Sequence, residues 1–326
     1  MNSSLTRRAA GVVLGAAVLQ LLMIIAFSWP ASRVAPNDVP IVTAGPQAAA
    51  VAARLDRERP GAFEVTTVAD EAAARRSLID REAYGAIVST PAGPQVLVAS
   101  GASPVVAQQL TQLGGQLAGG SPAGAVQDVV AGDPDDPRGA GFGALALPLV
   151  MSSIAAAALL TLAIPKLVPR AAGLVLFSLV GGFAVTWLAQ GWLSVLPGSY
   201  LAVSSVMVLS ILAVSAPVVG LAAALGRAGL GLGAAMFMFL GNPLSGVTSA
   251  PEMLPQPWGE LGQLLPPGAA GTLLRSVAFF DGAGAAGPLT ILLVWAAAGL
   301  VLLGIGGLRT RREVAPVAER EPALVS

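Results

Sequence analysis

The run LAVSSVMVLSILAVSAPVVGLAAAL, Leu201–Leu225, contains no charged residue along its whole length. A helix needs about 20 apolar residues to cross the roughly 30 Å of hydrocarbon in a bilayer. The whole chain has the same character, since 55% of its residues are hydrophobic and only 11% are charged. Charged residues make up about 25% of a typical soluble domain. The sequence therefore predicts an α-helical polytopic membrane protein.

Five further apolar runs accompany Leu201–Leu225, and we expect six transmembrane helices in all. They are predicted at Ala9–Trp29, Phe142–Ile164, Ala171–Leu193, Leu201–Leu225, Gly229 to about Ser245, and Gly287–Leu308. The first run is longer than the 7–15 residues usual for the apolar part of a signal peptide. Residues 1–29 are therefore predicted to be an uncleaved anchor, with a cleaved signal peptide as the alternative. Residues 142–308 form the predicted five-helix membrane domain.

The residue types that the chain lacks exclude several kinds of chemistry. There is no cysteine and no histidine, and Lys166 is the only lysine. Thiolate nucleophiles, serine–histidine triads and almost all zinc or haem sites are therefore excluded. A phosphate-binding loop of the form GxxxxGK[ST] is also absent, and no basic block indicates nucleic acid. We expect no enzymatic activity, no cofactor and no metal.

Residues 30–118 have the composition of a small α/β domain. Ala62–Val68 alternates apolar and polar residues as a strand does, and Gln47–Arg57 is alanine-rich and helical in pattern. Asp70 is placed to cap a second helix whose first turn is acidic. Two further strands are predicted on either side of the turn PAGP, and Ser103 precedes a last helix.

Residues 119–141 are predicted to link this domain to the membrane helices. This segment contains three close acidic residues, Asp133, Asp135 and Asp136, which suggest a calcium-binding loop. However, prolines interrupt the run, and it lacks the glycine turn and the distal glutamate of such a loop. We interpret the segment as a solvated linker.

Basic residues predict the orientation of the chain in the membrane. They flank alternate ends of the apolar runs, at Arg7 and Arg8, at Lys166 and Arg170, at Arg227, and at Arg309, Arg311 and Arg312. Cytoplasmic connections are enriched in Lys and Arg. Both termini, including a tail at 309–326, are therefore predicted to be cytoplasmic, and residues 30–141 extracytoplasmic. The use of alanine, arginine and valine with one lysine suggests a high-GC bacterium, and hence a bacterial plasma membrane.

The stretch NPLSGVTSAPEMLPQPW, Asn242–Trp258, interrupts the apolar runs with four prolines. A second segment, bounded by Pro266 and Asp281, is too short to span a bilayer. Residues 242–284 are predicted to form a re-entrant segment between the last two spans. A loop on the outer surface is the alternative. Glu252 and Arg275 are the unusual polar residues in it.

This order of elements resembles the permease subunit of type-2 ABC transporters, in particular the phage-infection-protein-like branch. The resemblance rests on a first span, a large external α/β domain and five further spans, together with a "P-x-S-G … P-E-x-L-P … LLP … R" pattern. The matching residues are Pro243, Ser245, Gly246, Pro251, Glu252, Leu254, Pro255, Leu264, Leu265, Pro266, Leu274 and Arg275.

The resemblance implies a homo- or heterodimer in the lipid bilayer, driven by a separate cytoplasmic ATPase, that exports amphiphilic cargo. It also implies that the segment beginning at Asn242 shapes an extracellular gate. Glu252 and Arg275 would then orient its helices or pair across them. The connection PKLVPR between the second and third spans offers an ATPase a smaller surface than the family's usual coupling helix.

Two functional hypotheses follow from the sequence. No acid or base lies in the core of a predicted span, and proton- or ion-coupled carriers generally need one. A self-sufficient secondary transporter is thus disfavoured. The first hypothesis is the permease subunit of an ABC-like exporter. The alternative is a non-transporting envelope receptor, sensor or assembly factor that acts through its extracytoplasmic domain.

Overall fold

The computed structural model describes residues 3–91, 93–117 and 126–313. Residue 92 of the predicted turn, residues 118–125 of the predicted linker and residues 314–326 of the predicted tail lie outside this range. The described chain is mostly helical with one small sheet. Its first helix, α1, spans Ser3–Ala31.

An α/β domain follows α1. In chain order it contains β1 (Val39–Ala44), α2 (Ala48–Glu58), β2 (Phe63–Thr67), α3 (Glu71–Ile79), β3 (Gly85–Thr90), β4 (Gly93–Val98), α4 (Pro104–Leu117) and β5 (Gln127–Asp128). The carboxylate of Asp70 accepts a hydrogen bond from the backbone N–H of Ala73 at 2.8 Å. This contact caps α3 as the sequence predicts, because the first N–H groups of a helix have no partner within it.

The sheet has the strand order β2-β1-β3-β4-β5. Strand β1 runs parallel to β2 and β3, β3 and β4 are antiparallel, and β5 is parallel to β4. Because side chains alternate across a strand, Ile41 packs with α2 and α4 on one face, and Val42 packs with α3 on the other. Strand β5 lies within the segment predicted as a linker, so these residues also belong to the domain.

The remaining helices form a bundle. They are α5 (Ala140–Ala163), α6 (Leu167–Thr186) with a π-helical end (Trp187–Trp192), α7 (Tyr200–Leu225), α8 (Arg227–Ala235) with a π-helical end (Met236–Gly241), α9 (Trp258–Gln263), α10 (Pro266–Phe279) and α11 (Ala286–Glu313). Helix α7 lies at the centre and contacts α5, α6, α8, α10 and α11.

Five helices of the described chain are long and apolar enough to cross a membrane. They span Thr6–Ala31, Ala140–Ala163, Leu167–Trp192, Tyr200–Leu225 and Ala286–Gly307. These apolar helices are compatible with insertion in a membrane. Helix α8 with its π-helical end, Arg227–Gly241, is shorter. Its nine and six residues rise about 22 Å at 1.5 Å per residue, less than the roughly 30 Å of a bilayer core.

Helices α9 and α10 form a hairpin, Trp258–Phe279, which we call the hairpin below. Its turn lies against α11, where the indole N–H of Trp295 donates to the carbonyl of Leu264 at 2.8 Å. Trp295 is about 14 Å along α11 from Ala286, at 1.5 Å per residue. The far end of α10 reaches the α/β domain, since a Cβ on Gly101 would lie 3.1 Å from the Cβ of Phe279.

One end of the helix bundle faces the α/β domain and the other end lies away from it. At the end that faces the α/β domain, Gly141 of α5 lies against Val195, and Gly198 lies against Ala278 of α10. The acidic residue Asp136 of the predicted linker also lies at this end and accepts from the N–H of Phe142 at 2.8 Å. At the opposite end, Gly307 of α11 lies against Leu167.

Candidate functional site

The segment Asn242–Arg275 joins the bundle to the α/β domain. After the π-helical end of α8 the chain forms an irregular loop to Ser249, then a 3₁₀ turn, Pro251–Met253, and then the hairpin. Of the predicted site residues, Ser245, Gly246, Leu254, Pro266 and Arg275 are buried, whereas Asn242, Pro243, Pro251, Glu252 and Pro255 are partly exposed.

The loop is compact because glycines allow close backbone approach. Gly246 has a φ of 66°, and a Cβ there would lie 2.9 Å from the nitrogen of Pro251. A Cβ on Gly262 of α9 would lie 1.8 Å from the carbonyl oxygen of Leu244. Neither position accepts a larger residue without a shift of the backbone. The loop and α9 are therefore packed as one unit.

Glu252 is bonded to the α/β domain and not to Arg275. Its Oε2 accepts a hydrogen bond from the phenol of Tyr84 at 2.8 Å. Its backbone carbonyl accepts from the N–H of Asn37 at 2.9 Å, and the carbonyl of Met253 accepts from Ala35 at the same distance. The 3₁₀ turn thus pairs with the backbone that connects α1 to β1.

Arg275 is buried, with 6% of its surface exposed. It donates to the carbonyl of Val247 at 2.7 Å and to that of Gly101 at 3.3 Å. Its guanidinium also lies 4.3 Å from the ring centroid of Phe142, a geometry that attracts a cation to the face of the ring. One side chain therefore joins α10 to the loop, to the α/β domain and to α5.

Pairing of Glu252 with Arg275, one of the two alternatives for these residues, is not found. The ion pairs among the described residues are Arg54–Glu58 and Arg75–Glu71. The charge of Arg275 is met by carbonyl dipoles, the Phe142 ring and the nearby carboxylate of Asp136. Glu252 and Arg275 instead contact separate partners, Tyr84 for the first and the carbonyls of Val247 and Gly101 for the second.

Two further residues at this junction, Arg81 and Tyr84, were not predicted from the sequence. Arg81 donates to the carbonyl of Thr272 at 2.7 Å and to the hydroxyl of Ser276, and its guanidinium lies 5.5 Å from the ring of Phe280. It has a φ of 62° at the end of α3, a left-handed conformation that is uncommon outside glycine. We call Arg81, Tyr84, Glu252 and Arg275 the junction cluster.

Burial changes the acid–base properties of the two α/β-domain members of the cluster. Burial raises the pKa of the Tyr84 phenol, and the adjacent Glu252 carboxylate raises it further. Burial lowers the pKa of the Arg81 guanidinium, whereas Tyr84 and Glu252 act in the opposite direction. Tyr84 is thus held as a neutral hydrogen-bond donor to Glu252. The sequence IDREAYG gives no local signal for these contacts, because their partners lie in the last third of the chain.

A cleft of about 600 Å³ lies beside the cluster, between the α/β domain, the hairpin and the start of α11. Its lining includes five carboxylates and one arginine: Asp38, Glu64, Glu82, Glu252, Glu260 and Arg81. Pro288 and Ile291 of α11 form an apolar edge. No group of three or more potential metal ligands is found among the described residues. The volume is in the range of small-molecule sites, about 300–1,000 Å³.

Comparison with protein-family models, with curated proteins and with solved structures gives no match for this chain.

Proposed function

We propose that this chain is the membrane subunit of an exporter that resembles the type-2 ABC permeases, moves an amphiphilic cargo outward and works with a separate cytoplasmic ATPase. The observation that carries the proposal is the hairpin. It packs against the central helix α7 and against α11, and its outer end is bonded to the α/β domain by the junction cluster. A hairpin held in this way is suited to close the outer end of a pathway.

The proposed topology has six spans, with both termini in the cytoplasm and the α/β domain outside a bacterial plasma membrane. Helix α8 together with the loop Asn242–Ser249 makes the fifth crossing, and the hairpin is re-entrant. The contact of Trp295 with the hairpin turn, about 14 Å along α11, supports this depth. Irregular backbone is tolerated there because protein surrounds it.

The absence of native cysteine gives a direct test of this topology. Single cysteines at exposed positions are labelled with a membrane-impermeant maleimide in intact cells. We expect Asp56→Cys and Ser199→Cys to react from outside, and Lys166→Cys and Arg227→Cys to react only after the cells are opened. Labelling of all four from outside, or of the second pair alone, would overturn the topology.

The gate is tested by breaking the Tyr84–Glu252 hydrogen bond. We expect Glu252→Ala to abolish export into inside-out vesicles while the amount of protein in the membrane stays the same. Asp56→Ala, which removes an exposed carboxylate from α2, is the matched control. Unchanged export by the Glu252 variant would show that the Tyr84–Glu252 hydrogen bond does not hold a gate.

A second candidate function is favoured by the acidic cleft. A cleft of about 600 Å³ lined by five carboxylates suits a cationic ligand, as expected of an envelope receptor, sensor or assembly factor. The short connection at Ile164–Lys166, closed by hydrogen bonds from Arg170 to the carbonyls of Ile164 and Thr161, leaves little surface for an ATPase. Purification from the native membrane separates the two functions, since recovery of an ATPase subunit is required only for export.

A further inference from the structure

A small cavity of about 10 Å³ lies inside the junction cluster and is lined by both Arg81 and Arg275. Its other polar lining residues are Tyr84, Ser245, Ser249 and Thr272. Three of these six, Arg81, Tyr84 and Thr272, also line the acidic cleft. The two spaces therefore adjoin, which gives a small ion a route from water. A cavity of this volume holds one water-sized particle.

The two guanidinium groups have no anionic partner at this cavity. Neither takes part in an ion pair within the described structure, and the described residues that line the cavity include no carboxylate. Glu252 lines the neighbouring cleft and accepts from Tyr84. Asp136 lies on another side of Arg275, where both line a second cavity of about 10 Å³. The cavity shared with Arg81 is thus lined by two positive charges and by no negative one.

Both side chains have N–H groups left for a ligand. Arg81 bonds through Nη1, and Arg275 through Nη1 and Nη2. The remaining three nitrogens, Nε of both and Nη2 of Arg81, make no hydrogen bond within the described structure. None of them is among the inaccessible polar atoms that lack a partner, which belong to Ser89, Thr161, Ser204 and Asn242. They therefore retain accessible surface, and a ligand can reach them.

We propose that this cavity binds a single chloride ion between the guanidinium groups of Arg81 and Arg275. Charged N–H donors form strong hydrogen bonds with anions, and a buried charge without a counter-charge is costly. An anion also offsets the repulsion between the two cations. The volume is too small for polyatomic anions such as sulfate or phosphate, and hence for a lipid headgroup.

The proposed ion joins the end of α3 to α10. It therefore strengthens the attachment of the α/β domain to the hairpin, in addition to the hydrogen bonds of Arg81 to Thr272 and Ser276. The site depends on the packing of the described chain alone, so it stands whether or not the chain exports a cargo.

Thermal unfolding of the full-length chain in detergent tests the site. Sodium gluconate is replaced by sodium chloride at constant ionic strength, which keeps the general screening of charges the same. We expect the unfolding temperature to rise and to saturate, by about 2–4 °C at a chloride concentration tenfold above the Kd. Bromide should act as chloride does, and sulfate should not. An unfolding temperature that is independent of chloride would show that the cavity holds only water, and the inference would be wrong.

Two variants and a control assign the effect to the cavity. Arg81→Gln and Arg275→Gln each remove one cation and should abolish the dependence on chloride. Arg76→Gln removes an exposed arginine from the same helix, α3, and should keep it. A dependence that persists in both cavity variants would contradict the site.

Because loss of a buried arginine can itself unfold the chain, the ion is also located in the unaltered protein. Crystals grown in sodium bromide should give an anomalous difference peak between the guanidinium groups of Arg81 and Arg275. The absence of a peak at that position would overturn the inference, whatever the variants show.

Discussion

Helices α1 and α7 have nearly the same length and hydropathy but opposite environments. Their apolar parts have 26 residues each, with mean hydropathies of 2.5 and 2.4. No residue in the most apolar window of α1 is buried, whereas 72% of that window of α7 is buried. Hydropathy therefore predicts that a helix enters a membrane, but it does not predict whether lipid or protein surrounds it.

Close helix contacts explain the burial of α7. A Cβ on Gly220 of α7 would lie 2.4 Å from the carbonyl oxygen of Gly299 on α11, and a Cβ on Gly299 would lie 2.3 Å from the backbone of Ala216. By contrast, a Cβ on Gly11 or Gly15 of α1 would contact nothing within 4 Å. Both helices have small residues four apart. Within the described residues of one chain, those of α7 pack against another helix and those of α1 do not, so this spacing alone does not predict an interface within the chain.

The largest expected effect comes from filling the contact between α7 and α11. Gly220→Val should destabilise the bundle by about 3 kcal/mol, because the backbone of α11 would have to move. Gly15→Val, the same change on α1, should have almost no effect. Thermal unfolding in detergent measures both. Equal losses for the two variants would show that α1 is also packed against protein.

A second test removes the same side chain from each helix. Ile211 of α7 is 2% exposed and Ile25 of α1 is 59% exposed. Ile211→Ala should cost about 2 kcal/mol, mainly through the cavity that it leaves, since both folded and unfolded helices remain in an apolar solvent. Ile25→Ala should be close to neutral. Similar shifts in unfolding temperature for the two variants would show that burial within the described chain does not determine how much an isoleucine side chain contributes to stability.

A third test concerns the one end at which α1 is held. The ring of Trp29 lies edge-on to Trp258 with centroids 6.3 Å apart, and the guanidinium of Arg33 lies over Trp29 at 5.3 Å. Trp29→Ala should weaken this attachment by about 1–2 kcal/mol. We expect faster proteolysis between α1 and β1, with Trp192→Ala, an exposed tryptophan, as control. Unaltered proteolysis would mean that the backbone hydrogen bonds to the carbonyls of Glu252 and Met253 are sufficient to hold this end of α1.

The smallest expected effect is a gain in stability. The hydroxyl of Ser204 in α7 is buried without a partner, whereas that of Ser205 donates to the carbonyl of Leu201 on an exposed face. Ser204→Ala should stabilise the bundle by up to about 1 kcal/mol because the unpaired group is removed. Ser205→Ala should be neutral. A loss of stability in the first variant would indicate that Ser204 has a partner in the membrane.

Local sequence patterns were sufficient to predict the positions of many helices and strands. Apolar runs predicted the positions of α5, α6, α7 and α11 to within a few residues, and the alternation at Ala62–Val68 predicted β2. Asp70 was correctly predicted as a helix cap. Each of these features depends on residues that are neighbours in the chain, where periodicity and capping rules apply.

The rest depended on contacts that the sequence does not encode locally. Strand β5 has two residues, and it forms only because Asp128 bonds to Ser100 and the backbone pairs with β4. The sequence marks Arg275 as an unusual polar residue of the re-entrant segment but does not predict its burial, which depends on the carbonyl groups of Val247 and Gly101 and on the Phe142 ring. Arg81 and Tyr84 looked like ordinary residues of the α/β domain.

The junction cluster also constrains the order of assembly. Tyr84 and Glu252 are separated by 168 residues, and Arg81 and Ser276 by 195. At a synthesis rate of about 5–20 residues per second, the α/β domain emerges roughly 10–40 seconds before its partners. During that interval its docking side chains face water, a chaperone or the membrane surface. The last third of the chain thus supplies the partners of a domain that is synthesised much earlier. Ribosome stalling in that region would leave Arg81 and Tyr84 without these partners, a surface that quality control could recognise.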